Sequence, residues 1–572
     1  MSDVRWGAHP AGDGMWQFGL WAPDVKSAQV ELDGTRLSAR SAPDGWWHLS
    51  APAHAGQHYM WVLDGAAYPD PAARAQAGDV HAASVLVDPA YNWQAQWRGR
   101  SIPEAVIYEL HVGTFTAQGT FAAAAEELPR LRELGVTMIE LMPLAQFEGD
   151  RGWGYDGVLP YAPHPAYGSP DDMRAFIDAA HAHGIGVLLD VVYNHFGPSG
   201  NYLGAWCPSF FHPERASPWG AGIAFETPAA RAYFIANAQH WLEEYQLDGL
   251  RLDAVHAIED HSPTHFLDEL GKQIRARAYD RPIHLVTEDE RNLTRYFTPQ
   301  APYDATWNDD WHHAVHCLLT GEDESYYAPF AHDPVGDIAT ALADGYVEQG
   351  QPRVNGDAHP RGEPSAQLPG TAFVNFLGNH DQVGNRARGE RLHQLVDDGH
   401  AYRVMTALTL LAPFTPMLFM GDEFLTSAPF QFFVDFTGDL AEAVRKGRAQ
   451  EFARFSSFGG AVPDPVSART FRDSKIGRPE TQAQRDHLEF VTHLLTLRAR
   501  HVTPLLARVP SPEATVDRRD DLIDVCWSFA PGTIHMRGAF GPNAAFVPHP
   551  DPALLLTDGS SPFALSATFS PE

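Results

Sequence analysis

The chain has 572 residues, room for a large central domain with smaller ones beside it. Against 41 lysines and arginines stand 72 aspartates and glutamates, a formal net charge of -31 that repels nucleic acid and anionic membrane and leaves a neutral partner as the better fit. The start, MSDVRWGAHP, has no apolar run behind it, no stretch of about 18 apolar residues follows, and Cys207, Cys317 and Cys526 are too scattered for a disulfide framework or a zinc site, so a cytoplasmic, soluble protein is expected.

Residues 1–97 show short alternating runs between turn residues, SAQVEL before Asp33-Gly34 and QHYMWVLDG after Ala55-Gly56, and this predicts an N-terminal, immunoglobulin-like β-sandwich. From 98 to 504 the pattern changes to apolar strands followed by helix-period segments, the mark of βα units. Eight strand candidates fall at 105–113, 136–144, 186–194, 247–255, 284–290, 305–310, 371–381 and 416–424, so the expectation is a central (β/α)8 TIM barrel. Helices are predicted at 120–135 and 169–184, both ending in glycine, and at 227–246, where Thr227-Pro228 reads as a cap and an N1 proline; a last helix is expected near 487–501. Residues 505–572 return to short apolar runs and turns, which predicts a small C-terminal β domain.

A buried barrel strand should be apolar, so ionisable residues gathered at strand ends need a reason. Asp190, Asn194 and His195 end the third strand, Arg251, Asp253 and His256 the fourth, Glu288 and Glu290 the fifth, His380 and Asp381 the seventh, Asp422 and Glu423 the eighth. These are C-terminal ends, the catalytic face of such a barrel. For any single residue, a cap or a structural ion pair explains the charge about as well; agreement among five strands favours a site. Arg251 and Asp253, two apart in a strand, point the same way, and the guanidinium should keep the carboxylate ionised and nucleophilic. Glu288 on the neighbouring strand would face the same cavity and, if desolvated, keep its proton. Such a pair serves glycoside hydrolysis: a separation of roughly 5 Å permits a covalent intermediate and retention, about 6.5–9.5 Å permits inversion through water.

Aromatic side chains in the βα loops, among them Trp153, Tyr155, Trp206, Trp219, Trp307, Phe430 and Phe432, offer flat faces to pyranose rings, although core packing explains roughly half of any such set. Trp153, Tyr155 and Trp219 stand beside glycine or proline in loops expected to be exposed, and are the preferred sugar contacts. The run WNDDWHH (307–313) matches no zinc spacing and reads as a helix cap with its first turn. No phosphate-binding loop, HExxH, EF-hand or GxSxG motif occurs, which removes the commonest phosphate, zinc, calcium and serine-hydrolase readings and leaves no residue assigned as a metal ligand.

The segments DVVYNH (190–195), GLRLDAVH (249–256), VTEDE (286–290) and FLGNHD (376–381) resemble the four short regions of the α-amylase superfamily, glycoside hydrolase family 13. The resemblance implies Asp253 as nucleophile, Glu288 as general acid/base and Asp381 as partner of the 2- and 3-hydroxyls. It further implies that Arg251, His195 and His380 support the transition state and that Tyr155 lies under the cleaved ring. Over most of the chain, in YPDPAAR (68–74), VIYELHVGTFTAQGTF (106–121), GWGYDGVLPYAP (152–163), WNDDWHHAVHCLLTGE (307–322) and AVRKGRAQEFARF (443–455), the sequence is similar to the maltooligosyltrehalose trehalohydrolases. That family cleaves the α-1,4 bond next to the terminal trehalose of its substrate without a cofactor. It departs from the usual pattern at Gly378-Asn379 and Thr287-Glu288-Asp289, neither of which removes a catalytic carboxylate. The alternatives are a branching or debranching enzyme of the same superfamily and a non-catalytic glucan-binding protein.

Overall fold

The computed structural model describes residues 5–217, 220–356, 358–452, 462–508 and 512–571. Near the N-terminus two antiparallel sheets face each other, one holding Gly7–Gly12, Met15–Trp21, Trp46–Pro52 and Arg40–Ser41, the other Thr35–Ser38, Ala28–Leu32, His58–Leu63 and Ala66–Tyr68. Their alternation buries Phe18, Leu20, Val30, Tyr59 and Trp61 between the sheets. Asp70 stands among them and accepts from Tyr59 and Trp61, which satisfies a carboxyl that burial pushes up to about 6.

Eight parallel strands close a barrel in chain order: Ile107–Leu110, Met138–Leu141, Gly186–Val191, Gly249–Leu252, His284–Thr287, Ala305–Trp307, Phe373–Asn375 and Thr415–Phe419. Each lies within its predicted segment or, for the eighth, starts one residue before it. Ile107, Met138, Leu188, Val286, Ala305, Val374 and Met417 pack together and fill the barrel. A separate C-terminal sheet, of five antiparallel strands from Glu513 to Pro571, meets the barrel helices through Trp527, whose indole donates to Leu342 O at 3.1 Å. The fold is thus the expected TIM barrel with an N-terminal pair of sheets and a C-terminal sheet.

Two helical expectations change. The segment 120–135 is not one helix but two, Phe121–Ala125 and Leu128–Leu134, because Pro129 cannot donate to a continuing helix and instead starts a new one; Gly135 caps the second at φ 106°. Thr227 precedes the helix Pro228–Glu244 but gives no side-chain cap: its hydroxyl donates to Ser209 O.

The N-terminal sheets are fastened to the barrel by polar contacts. Arg74, 5% exposed, pairs with Glu244 at 2.5 Å and donates to Ala8 O, and the Tyr233 hydroxyl donates to Pro71 O at 2.6 Å. At the N-terminal end of the fourth strand, Asp248 is fully buried; it accepts from the Trp97 indole at 2.6 Å, from Val187 N at 2.9 Å and from the His181 ring at 2.9 Å. Among the described residues no helix is long and apolar enough to cross a membrane.

Candidate active site

At the other end of the same strand Arg251 is fully buried and organises three carboxyls from three strands. Its Nη1 donates to Asp190 Oδ2 at 2.7 Å and to Asp253 Oδ1 at 2.9 Å, and its Nη2 donates to Glu288 Oε2 at 2.7 Å. The Trp307 ring lies 3.8 Å from the guanidinium carbon and closes its face. A single planar fork therefore sets the spacing of Asp253 and Glu288. The backbone adds a second brace: Ala254 is held left-handed at φ 40°, and its N–H donates to Glu288 Oε2 at 2.9 Å. Both donors to Glu288 fall on Oε2, so Oε1 is the oxygen through which that carboxyl can exchange a proton.

The other expected residues join this centre. Asn194 Nδ2 donates to Asp253 Oδ2 and to Asp253 O, each at 2.8 Å. The His195 ring bonds Asn194 Oδ1 and Tyr155 O; burial, opposed by the Asp253 charge, lowers its affinity for a proton. Tyr155 donates its hydroxyl to Asp190 Oδ2 at 2.6 Å and lies nearly parallel to the His380 ring, 5.1 Å between centroids. Burial pushes Asp190 up to about 7 although Arg251 pulls the other way. Asp381 opens the helix His380–Gly384, donating its N–H to the cap Asn379 and keeping its side chain 36% exposed toward the cleft.

Two expected residues stand elsewhere. Trp153 is 5% exposed, not in an open loop: it stacks on Phe430 at 5.1 Å and donates to Gln431 O, so it walls the site from behind. His256 faces Glu290 at 3.8 Å instead of the Arg251 network. Trp219 lies outside the described residues. At the eighth strand the structural alternative holds, since Asp422 pairs with Arg391 and Glu423 with Arg130 and Tyr108.

Several residues were missed in the sequence. Glu109, in the first strand, accepts from His380 N at 3.1 Å and from its Nδ1. Glu140, beside it in register, is equally buried. Asp309 opens the helix Asp309–Thr320 and accepts from Gln382; burial with the charges of Glu288 and Asp381 pushes it up to about 7. The WNDDWHH run is otherwise the helix start expected of it, and among the described residues no group of three or more acidic, histidine or cysteine side chains could hold a metal ion.

Three carboxyls on one guanidinium, with a fourth exposed beside a histidine, can cleave an acetal by paired acid and nucleophile chemistry. The model of the α-amylase catalytic domain matches residues 68–206. The chain is 44% identical over 529 residues to the malto-oligosyltrehalose trehalohydrolase of Deinococcus radiodurans, covering 91% of this chain and 87% of that protein. The corresponding protein of Rhizobium sp. is 41% identical over 533 residues, covering 89% and 88%. A crystal structure of a protein from Salmonella typhimurium superposes with a TM-score of 0.93 at 46% identity, covering 99% of this chain and 100% of that one.

Proposed function

The chain belongs to the malto-oligosyltrehalose trehalohydrolase family, and from that premise we propose how its barrel mouth performs the reaction. The protein is a glycosidase that hydrolyses the α-1,4-glucosidic bond beside the terminal trehalose of maltooligosyltrehalose and releases trehalose and a shorter maltooligosaccharide. The observation that carries the reading is the Arg251 guanidinium shared by Asp190, Asp253 and Glu288.

Asp253, with one oxygen on Arg251 and the other on Asn194, attacks C1 while Glu288 delivers its proton from Oε1 to the bridging oxygen. The C1–O bond breaks, the leaving sugar departs with the proton, and a glycosyl ester forms on Asp253. Glu288, now charged, takes a proton from water, whose oxygen displaces Asp253 and restores the α configuration. Asp381, open to the cleft, accepts from the 2- and 3-hydroxyls of the cleaved ring, and Tyr155 lies under that ring. The substrate is uncharged, in keeping with a protein of net charge -31, and the compartment that fits free thiols at Cys207, Cys317 and Cys526 is the cytoplasm. No cofactor enters any step.

Incubation with maltooligosyltrehalose, followed by chromatography and anomer-resolved proton NMR, tests the reading. Trehalose and a maltooligosaccharide born in the α form are expected. New or lost α-1,6 linkages in a branched glucan, without trehalose, would assign the chain to branching or debranching instead; binding of glucan without any turnover would make it a binding protein.

A further inference from the structure

We infer that Glu109 is a positioning residue for this reaction, holding His380 as an imidazolium whose Nε2–H is presented to Asp381 at the cleaved sugar. The inference rests on the reading of the site given above. Glu109 lies in the first barrel strand, 1% exposed, and nothing in the chemistry of the Arg251 centre employs it. One carboxyl oxygen meets His380 Nδ1 and the other takes the His380 backbone N–H at 3.1 Å. On the far side of the ring, His380 Nε2 stands 3.4 Å from Asp381 Oδ2. A neutral imidazole has one donor and one acceptor nitrogen; with a carboxylate oxygen at each nitrogen, only the doubly protonated ring suits both neighbours.

The surroundings agree. Burial opposes a charge on His380, as does Arg251, yet Asp381 and Glu109 together outweigh them and push the imidazole up to about 10. Tyr155, Trp153 and Trp307 enclose the ring, and Glu140, Asp190 and His111 are the other titratable groups that face it. Two neighbours serve as controls built into the barrel. His111 is just as buried but bonds Thr114, Tyr167 and a carbonyl instead of a carboxylate, and burial takes it down to about 3. Glu140 is the register partner of Glu109; neither of its oxygens has a hydrogen-bond partner, and burial drives it well up toward its neutral form. His380 differs from His111 in having a carboxyl at each ring nitrogen, Asp381 on one side and Glu109 on the other, and Glu109 differs from Glu140 in having His380 as its partner.

Glu109→Gln keeps the shape and the acceptor for His380 N–H while removing the charge. With the fold verified by circular dichroism, turnover of maltooligosyltrehalose above pH 7 should fall by about two powers of ten, the scale of one lost transition-state donor. The deficit should shrink as pH drops toward 5, where a free imidazole protonates unaided, and KM should move less than kcat. A folded variant whose deficit is the same at every pH, or absent, overturns the inference, since a merely structural brace would give that result. If the variant does not fold, histidine-selective 15N NMR of the wild type, with His380→Asn for assignment, decides the matter: both ring nitrogens should stay protonated past pH 8, and titration near 6.5 overturns it. Wild-type trehalose release in the same assay keeps a failure here distinct from a failure of the proposed function, because the NMR titration judges Glu109 whether or not the substrate is correct.

Discussion

The fourth barrel strand carries an aspartate just outside each end, and the two lead different lives. Asp248, at the N-terminal end, is fully buried and bonded only to protein: a tryptophan from the segment that follows the N-terminal sheets, a histidine from a barrel helix and a backbone amide of the third strand. Asp253, five residues on, also has protein donors, Arg251 and Asn194, but its carboxyl opens on the cleft, 12% exposed. The same side chain on the same strand becomes a structural tie at one end and a reactive group at the other. In a TIM barrel the C-terminal end is where loops leave space for a ligand, while the opposite end is sealed.

Substitutions can break that contrast. Asp253→Ala should lower kcat by about three powers of ten or more while the thermal midpoint barely moves, because Arg251 keeps Asp190 and Glu288. Near-normal turnover in that variant would remove Asp253 from the chemistry. Asp248→Ala should do the reverse, costing about 3 kcal/mol in denaturant unfolding, as expected when a buried acceptor leaves its donors unpaired, with kcat per folded molecule unchanged. A stable variant with impaired turnover would contradict the division of labour between the two ends. The smallest effect concerns Asp190. Its carboxyl is raised to about 7 by burial, so the fold favours its protonated form; that contribution is full below the unfolded value of 3.8 and is lost as pH rises through 7. Asp190→Asn should therefore flatten the fall in stability between pH 4 and 7 by a few degrees of Tm or less. An equally steep fall in wild type and variant would show that other groups set it.

The eight strands were legible because each is a nearly unbroken apolar run, and the charged residues at their ends marked the catalytic face. Glu109 and Glu140 escaped because attention to strand ends passes over charges within strands. Yet a glutamate amid apolar strand residues is itself a signal, since an interior carboxyl must be paired or neutral. Trp153 was misjudged for a different reason. Its neighbours Gly152 and Gly154 suggested an open loop, whereas Gly154, at φ 102°, is there because a side chain would collide with Pro143 O, 2.0 Å from the Cβ position. Glycine marked close approach, not exposure. The break at Pro129 was legible in the residue itself, since a proline lacks the N–H that a continuing helix needs and suits the first turn of a new one.

The left-handed turn at Ala254 bears on when the site is assembled. A non-glycine residue held in that conformation is strained, and the strain is overcome once, as the chain folds. No later turnover has to repeat it. The acid and the nucleophile begin every cycle at their stations, and the grip of the cleft on a long glucan chain remains free to bend the ring that is about to be cut.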